Sequence, residues 1–240
     1  MGKVTVVGGK VGMTVPSTID PVFANNDWKV IVRACQKNIV PETWVVGDSK
    51  TMNIGGTDYM IDIIGKNHDD YADGSGKAPL TLQLHNCYGT TYKYHGYYNN
   101  TSYTGSWNNC EMRTTHLPAI LALMPVEVQD GIREVNKPTS KYVSSPPAIV
   151  TTTTADKLFL LSEVEVFGAK TNSFKDEGTQ YDYYKAGNSA IKTVNGTAQY
   201  WWLRSPYNDN TTYFCVCKSD GKCSYTNSYN AYGVAFAFCF

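Results

Sequence analysis

The sequence predicts an α+β fold, in which a mixed or antiparallel sheet is flanked by two helices and connected by long loops. Helical periodicity is limited to two segments, which start near Asp27 and Glu111, and extended segments dominate the last third of the chain. Helices and strands do not alternate as they do around a parallel sheet. Because the chain has 240 residues and no internal repeat, one large domain is the expected organisation.

The composition excludes several classes of protein. Lys and Arg number 21 and Asp and Glu number 21, so the chain lacks the basic surface that nucleic acids and anionic membranes require. The sequence shows no membrane-spanning run, no signal peptide and no cofactor motif, which predicts a protein of the cytoplasm with no cofactor and no membrane insertion. The 18 tyrosines outnumber Phe 8 and Trp 5 together, as is typical of binding surfaces built from phenol and amide groups.

The first part of the chain predicts an arm followed by a helix. Residues 1–26 are rich in Gly and Val and lack a helical period, so we expect an arm or assembly segment that precedes a domain of residues 27–240. Asp27 is the expected N-cap of a helix that ends near Pro41. Its apolar positions follow the spacing i, i+3, i+4 and i+7: Trp28, Ile31, Val32 and Cys35.

A hairpin is expected next. Trp44–Asp48 reads as a short extended segment, and Gly55-Gly56 separates two alternating runs, of which the second is expected to bury Tyr59, Ile61 and Ile63. The stretch from Lys66 to Tyr103 has little periodicity and is expected to form long loops.

The remaining segments predict one more helix and several strands. Glu111–Asn136 has a helical pattern that Pro125 is expected to break, and Lys141–Thr154 reads as a connector. Lys157–Gly168, Gly196–Pro206 and Gly233–Phe240 read as extended. The last of these is apolar on both faces, so we expect a central strand that pairs with the strand around Trp201–Leu203.

Two acidic groups are candidates for chemistry. The loop from Asp69 to Asp73 resembles the start of a calcium loop, but Tyr71 and Leu80 occupy positions where an EF-hand needs ligands. A solvated turn is favoured there, with a weak calcium site as the alternative. Glu163 and Glu165 alternate on an expected strand, which suits either a glycosidase pair or two solvent-facing charges.

The seven cysteines form no CxxC pair and no metal-ligand spacing. Cys35 and Cys239 lie in apolar patterns and are expected to be buried free thiols. No metal site is therefore assigned from the sequence.

The segment Tyr207–Tyr232 stands out because 17 of its 26 residues are Tyr, Asn, Asp, Ser or Thr, between apolar flanks. Tyrosine supplies rigid contact area and the small polar residues supply adaptable hydrogen bonds, so a ligand-binding surface is favoured over a plain polar loop. We expect Arg204, just before this segment, to bind backbone carbonyls at its base. The candidate ligand-binding residues are Tyr207, Asn208, Asp209, Asn210, Thr211, Tyr213, Phe214, Cys215, Cys217, Ser219, Ser224, Tyr225, Asn227, Tyr229, Asn230 and Tyr232.

An ordered set of motifs resembles a bacterial and prophage family. Its members are similar to the variable proteins of diversity-generating retroelements. The motifs are TWVVGDSK from Thr43, IIGKNHDD from Ile63, WNNCEMR from Trp107, DKLFLLSEVEVFG from Asp156, WWLRSP from Trp201 and GVAFAFCF from Gly233.

The resemblance implies a C-type lectin-like fold and a surface that is varied by mutation of adenines. An Asn codon of the AAY type then yields Tyr, Asp, Ser, Thr, Cys or Phe but never Lys, which accounts for most of the variable region at about 207–232. The cluster of Cys215, Cys217 and Cys223 would be a product of this sampling. Lys218 and Lys222 depart from the pattern. The calcium-binding motifs of true lectins are not matched.

The leading functional hypothesis is a non-enzymatic ligand-binding protein, the receptor-binding adhesin of a phage or prophage tail. The implied partner is a bacterial cell-surface protein or glycan receptor, the implied location is the virion, and a homotrimer or fibre attachment is expected. A carbohydrate-binding module is the alternative, since Trp, Tyr and Asn also suit sugars. A glycoside hydrolase using Glu163 and Glu165 is the third hypothesis.

Overall fold

A five-stranded antiparallel sheet lies at the centre of the structure, which is a computed structural model that describes residues 18–95, 107–143, 148–174 and 177–240. The class is α+β with mostly antiparallel sheets and few helices, as predicted. The strands are β1 (Ser49–Ile54), β2 (Thr57–Lys66), β3 (Leu80–Leu84), β4 (Tyr92–Lys93), β5 (Val135–Val143), β6 (Ala148–Asp156), β7 (Leu158–Phe159), β8 (Lys192–Val194), β9 (Thr197–Gln199), β10 (Trp201–Pro206), β11 (Tyr213–Cys217), β12 (Cys223–Asn227), β13 (Ala231–Tyr232) and β14 (Ala237–Cys239).

The central sheet has the order β1-β2-β3-β14-β7. A second sheet has the order β10-β11-β12, and three two-stranded pairs are β13 with β4, β5 with β6, and β8 with β9. The described residues also include five short α-helices: α1 (Trp28–Gln36), α2 (Leu117–Leu121), α3 (Val126–Gly131), α4 (Glu163–Phe167) and α5 (Asp182–Lys185).

The predicted hairpin is confirmed at β1 and β2. Gly55 and Gly56 have φ of 60° and 89°, a left-handed turn that fits the twist of the flanking strands. Ile61 and Ile63 are buried and Tyr59 is half-buried. The expected extended segment Trp44–Asp48 instead contains a turn at Val46–Gly47, where Gly47 has φ of 100° and the Asp48 carboxylate accepts a hydrogen bond from the amide of Val45.

The C-terminal segment is a core strand, as predicted, but its expected partner was wrong. Every residue from Val234 to Phe240 is buried, and β14 pairs with β3 on one side and with β7 on the other. Trp201 contributes only an isolated bridge to Gly233. The strand at Trp201 is not the partner because β3 and β7 already occupy both edges of β14, and it belongs to the sheet with β11 and β12.

Strand β3 lies inside the stretch Lys66–Tyr103 that was expected to be loops. Its polar residues Thr81 and Gln83 are buried, so the strand shows no alternation of exposed and buried positions. Thr81 donates to Asp69, and Gln83 bonds to the carbonyl of Ala235 and to the hydroxyl of Tyr184. Residues 96–103 of that stretch lie outside the described residues.

Helix α1 confirms the first predicted helix, with its apolar positions buried against the core. Asp27 occupies the N-cap position but makes no side-chain capping bond. Helix α3 lies against α1 at close range, since a Cβ at Gly131 would come within 2.5 Å of Val32.

The second predicted helix is present in pieces. A π-helical segment at Met112–His116 runs into α2, Pro125 then ends that run as predicted, and α3 follows. The helix was expected to continue to Asn136, but Val135 already begins β5.

Two further expectations were wrong. Most of the expected connector Lys141–Thr154 belongs to a long hairpin of β5 and β6, whose residues 144–147 lie outside the described residues. Part of the expected extended segment after Asp156 is helix α4, which Ser162 starts with a capping box to Glu165. The local capping signal therefore overrides the alternating pattern.

The described part of the N-terminal segment packs on the domain. Phe23 is buried between the rings of Trp28 and Trp44, with centroid distances of 6.3 and 5.3 Å, and the Trp44 indole donates to the carbonyl of Asp20. Residues 20–26 thus contribute to the core. Residues 1–17 of the expected arm lie outside the described residues.

Replacing Phe238 by alanine is expected to lower the free energy of unfolding by about 3–5 kcal/mol, because its ring is fully buried in the middle of β14. Chemical denaturation measures this loss. Val126→Ala, at a position that is 67% exposed, is the control and should change the free energy by less than about 0.5 kcal/mol. Equal losses in the two variants would contradict the central position of β14.

Candidate functional site

In the sheet β10-β11-β12, strands β11 and β12 carry seven of the sixteen candidate ligand-binding residues. Its register places Tyr213 opposite Asn227 and Cys215 opposite Tyr225. The amide of Tyr207 donates to the carbonyl of Tyr213, which continues the sheet beyond β10. Because directly opposite residues share a face, Tyr207, Tyr213 and Tyr225 come together on one side.

These three rings form what we call the tyrosine cluster: Tyr207, Tyr213 and Tyr225. The rings of Tyr207 and Tyr225 are stacked with centroids 3.7 Å apart, and Tyr213 lies 6.3 and 6.0 Å from them. A hydrogen bond with Tyr225 raises the pKa of the Tyr207 hydroxyl to about 12. The cluster is a partly exposed aromatic surface.

Small polar residues surround this cluster. The carboxamide oxygen of Asn210 accepts hydrogen bonds from the amide and the hydroxyl of Thr212, which fixes the turn before β11. The exposed candidates are Asn208, Asp209, Asn210, Ser219, Tyr225 and Tyr229. The half-buried candidates are Tyr207, Thr211, Tyr213, Ser224, Asn227, Asn230 and Tyr232.

Three of the candidate residues do not offer a surface. Phe214, Cys215 and Cys217 are buried, and the ring of Phe214 stacks on Tyr94 at 3.8 Å. The sequence was misleading here because the segment Tyr207–Tyr232 is polar overall, whereas Phe214–Cys217 within it is an apolar run that is buried. A ligand at the surface of this fold does not contact these three side chains.

Tyr232 lies in a different aromatic group. It pairs with Tyr92 across β13 and β4, and its ring stacks on Tyr200 at 5.3 Å. The candidate residues are therefore divided between the tyrosine cluster with its rim and this second group.

Arg204 binds the base of the candidate surface, as predicted. Its guanidinium is fully buried and donates to the carbonyls of Leu160, Glu177 and Pro138 and to the hydroxyl of Thr139. It also forms a bidentate ion pair with Glu165, in which the Nη2–Oε1 distance is 2.9 Å. One side chain thus joins β10 to β5, to α4 and to the loop at Glu177.

The network continues from Glu165 to a second buried cation. Lys137 lies 2.7 Å from both Glu165 and Asp69 and donates to the hydroxyl of Tyr181. Although burial alone would raise the pKa values of both carboxyls, Lys137 holds that of Asp69 well below its usual range, and Arg204 and Lys137 lower that of Glu165. Two cations and two carboxylates are therefore buried together.

Glu177 is a third buried carboxyl beside this network. Its carboxyl accepts hydrogen bonds from the amide of Ser140 and the hydroxyl of Ser205. Burial nevertheless raises its pKa to about 7, because both nearby cations are already paired with Glu165 and Asp69. Sequence reasoning missed Lys137, Glu177 and Tyr181. Each is an ionisable residue whose local sequence does not show that its side chain is buried.

The structure removes the basis for a catalytic pair of Glu163 and Glu165. They lie on helix α4 rather than alternating on a strand, and both are fully buried. Glu163 accepts backbone hydrogen bonds from residues 171–173, and Glu165 is ion-paired with Arg204 and Lys137. Both carboxyls are therefore bound to internal partners, whereas a glycosidase pair must contact the sugar between them.

The acidic loop from Asp69 to Asp73 is neither a solvated turn throughout nor an open set of calcium ligands. Asp69 is buried and paired with Lys137, while Asp70 pairs with Lys77 and Asp73 pairs with Arg133. Each carboxylate therefore already has a cationic partner.

A groove of about 450 Å³ lies away from the candidate segment, between the turns of the β1–β2 and β8–β9 hairpins. The rings of Tyr59 and Tyr88 stack in its wall with centroids 5.2 Å apart. Its lining is otherwise mainly amide, hydroxyl and backbone groups: Thr57, Asp58, Asn86, Cys87, Gly89, Thr90, Thr193, Asn195 and Gly196. We call this feature the tyrosine groove.

All seven cysteines are free thiols, and Cys215 and Cys223 lie beside the carboxylate of Glu163. Glu163, Cys215 and Cys223 form the group of potential metal ligands found in the described part of the chain. In that same part, no helix is both long and apolar enough to cross a membrane.

The fold and site define an α+β protein that presents a tyrosine cluster above a buried charge network. The chain belongs to the family described as a domain of unknown function (DUF6273), whose model matches residues 81–240. No curated protein and no solved structure matches the chain. The matched range contains β3 to β14 with the charge network except Asp69, whereas α1 and the β1–β2 hairpin precede it.

Replacing Glu177 by glutamine is expected to change how stability depends on pH. The native pKa of about 7 lies above the ordinary value of 4.5 for a glutamate, so the native state holds the proton more tightly. This group's contribution to stability is then greatest below pH 4.5 and is lost as the pH rises towards 7. Between about pH 5 and pH 8, the wild type should lose about 2–3 kcal/mol relative to Glu177→Gln.

Urea unfolding of both proteins across this pH range measures the difference. Glutamine keeps the size of the side chain and an acceptor for Ser140, so it is a matched replacement. Parallel stability curves for the two proteins would show that Glu177 is ionised in the native state throughout.

Proposed function

We propose that this protein is a non-enzymatic ligand-binding protein, the receptor-binding adhesin of a phage or prophage tail. In this proposal the fold is C-type lectin-like and a retroelement diversifies residues 207–232. The observation that carries the proposal is the tyrosine cluster, three partly exposed rings on a sheet whose base is held by the buried Arg204.

The physical chemistry of this surface suits recognition. The rings present rigid area with few rotatable bonds, and the exposed amides and hydroxyls around them adapt to different hydrogen-bonding partners. Tyr225 and Tyr229 are 41% and 45% exposed, so ligand contact does not require the core to open. A bacterial cell-surface protein or glycan is the proposed receptor.

A carbohydrate-binding module is the second candidate, and the tyrosine groove favours it. Tyr59 and Tyr88 offer an apolar ring surface, while Asn86 and Asn195 offer amides for sugar hydroxyls. The volume is within the usual range of small-molecule sites. In this case the ligand lies outside residues 207–232.

Two matched substitutions separate these candidates. Tyr225→Ala and Tyr88→Ala each remove one ring of a stacked pair. If the tyrosine cluster is the receptor site, Tyr225→Ala should weaken binding to intact bacterial cells by about 30-fold, which corresponds to about 2 kcal/mol, whereas Tyr88→Ala should leave it unchanged. Binding of the labelled full-length protein to a panel of bacterial strains gives the affinities.

The melting temperature of each variant is the control for folding. Loss of cell binding with Tyr88→Ala alone, together with a monosaccharide pattern on a glycan array, would favour the carbohydrate module and contradict the adhesin site. Loss of stability with Tyr225→Ala and no loss of affinity would show that the cluster is structural.

The proposed diversification has its own test in the neighbouring DNA. A near-repeat of the coding sequence for residues 207–232 that differs at adenines, next to a reverse transcriptase gene, is the expected arrangement. A locus without such a repeat would contradict diversification of this copy while leaving ligand binding open to the cell assay.

A further inference from the structure

Three potential metal ligands from three different elements meet at the sheet β10-β11-β12. Glu163 begins α4, Cys215 lies in β11 and Cys223 begins β12. Their ligand atoms all lie within 4.8 Å of one another, and the Cys223 thiol lies 2.9 Å from Glu163 Oε1. The sequence separates these residues by up to 60 positions, so their convergence is a property of the fold.

The carboxylate of Glu163 is held in place by the backbone. The amides of Thr171, Asn172 and Ser173 donate to its two oxygens at 2.7–3.1 Å. These hydrogen bonds fix the orientation of the carboxylate. One ligand is thus positioned before any ion binds.

The two sulfurs complete a set that suits a thiophilic ion. Cys215 is fully buried, whereas Cys223 is half-buried on the edge strand, so the group is accessible from the Cys223 side. Two thiolates and one carboxylate are ligands that Zn²⁺ accepts, whereas Ca²⁺ and Mg²⁺ require oxygen. Three protein ligands leave a fourth tetrahedral position for water.

A neighbouring amide adds a further polar group at this place. The side-chain amide of Asn172 lies 3.3 Å from Cys223 Sγ and 3.5 Å from Glu163 Oε1. It is therefore adjacent to two of the three ligand atoms and can bond to a ligand or to a bound water.

We propose that Glu163, Cys215 and Cys223 form a binding site for one Zn²⁺ ion. Binding replaces the two thiol protons by two Zn–S bonds and adds one Zn–O bond to the carboxylate, so two protons are released for each ion bound. No electron transfer is involved.

The site has a structural consequence. An ion bound there joins the edge strand β12, which carries Tyr225, to helix α4, which carries Glu165 of the buried charge network. It would anchor the aromatic surface to its base. This inference rests on the ligand geometry and not on the proposed adhesin function.

Titration of the reduced, metal-stripped full-length protein with Co²⁺ tests the proposal, because Co–thiolate bonds give a charge-transfer absorption in the near ultraviolet. The wild type should bind one Co²⁺ with this absorption and with release of two protons per ion, and Zn²⁺ should then displace the Co²⁺ without further proton release. Cys223→Ala and Cys215→Ala should each weaken Co²⁺ binding by at least about tenfold.

Cys35→Ala is the matched control, since it removes a buried thiol on α1, and it should keep wild-type binding. Thermal unfolding with Zn²⁺ is the second readout, and it should show a raised melting temperature for the wild type and Cys35→Ala only. If Cys215→Ala does not fold, Cys223→Ala decides the question. Absence of the thiolate absorption in the wild type, or full retention of it in Cys223→Ala, would overturn the site.

Discussion

The buried guanidinium of Arg204 is the constraint on which the rest of the structure depends. A charge without water must have all of its donors paired, and the five N–H groups of Arg204 find carbonyls from three segments and both oxygens of Glu165. These partners come from β5, from the residues before α4 and from Glu177, so they are brought together only by the complete fold. Removing one partner leaves an uncompensated charge in the interior, which is far more costly than losing a surface ion pair.

The two faces of the sheet β10-β11-β12 have different roles. The core-facing side of β10 and β11 packs Phe214 and Trp202 around Tyr94, and Arg204 fixes the start of the candidate segment. The other side presents the tyrosine cluster and its polar rim, whose side chains contribute little to that packing. Because buried charges hold the base of this sheet, the exposed residues can differ without a change in the fold. A diversified binding surface requires this property.

The sequence predicted the elements whose patterns are local and missed those that depend on distant partners. The period at Trp28 to Cys35, the Gly55-Gly56 turn and the apolar C-terminal segment each carry their own signal. Strand β3 was missed because Thr81 and Gln83 are buried with partners far along the chain, and α4 was misread because a capping box outweighs alternation. At the candidate site, the tyrosines and Arg204 were predictable from residue type. The burial of Cys215 and Cys217 was not predictable, because it depends on segments that are distant in the sequence and cover these positions of β11.

A double-mutant cycle on Arg204 and Glu165 tests most directly whether the buried charges act as one unit. Arg204→Met removes the guanidinium, and Glu165→Gln keeps the capping interaction with Ser162 while removing the charge. Each single variant leaves its partner's charge less compensated, so we expect the double variant to be more stable than the sum of the two losses predicts, by about 1–3 kcal/mol in urea unfolding. Losses that add within about 0.5 kcal/mol would show that the pair is energetically independent and would contradict the central role of the network.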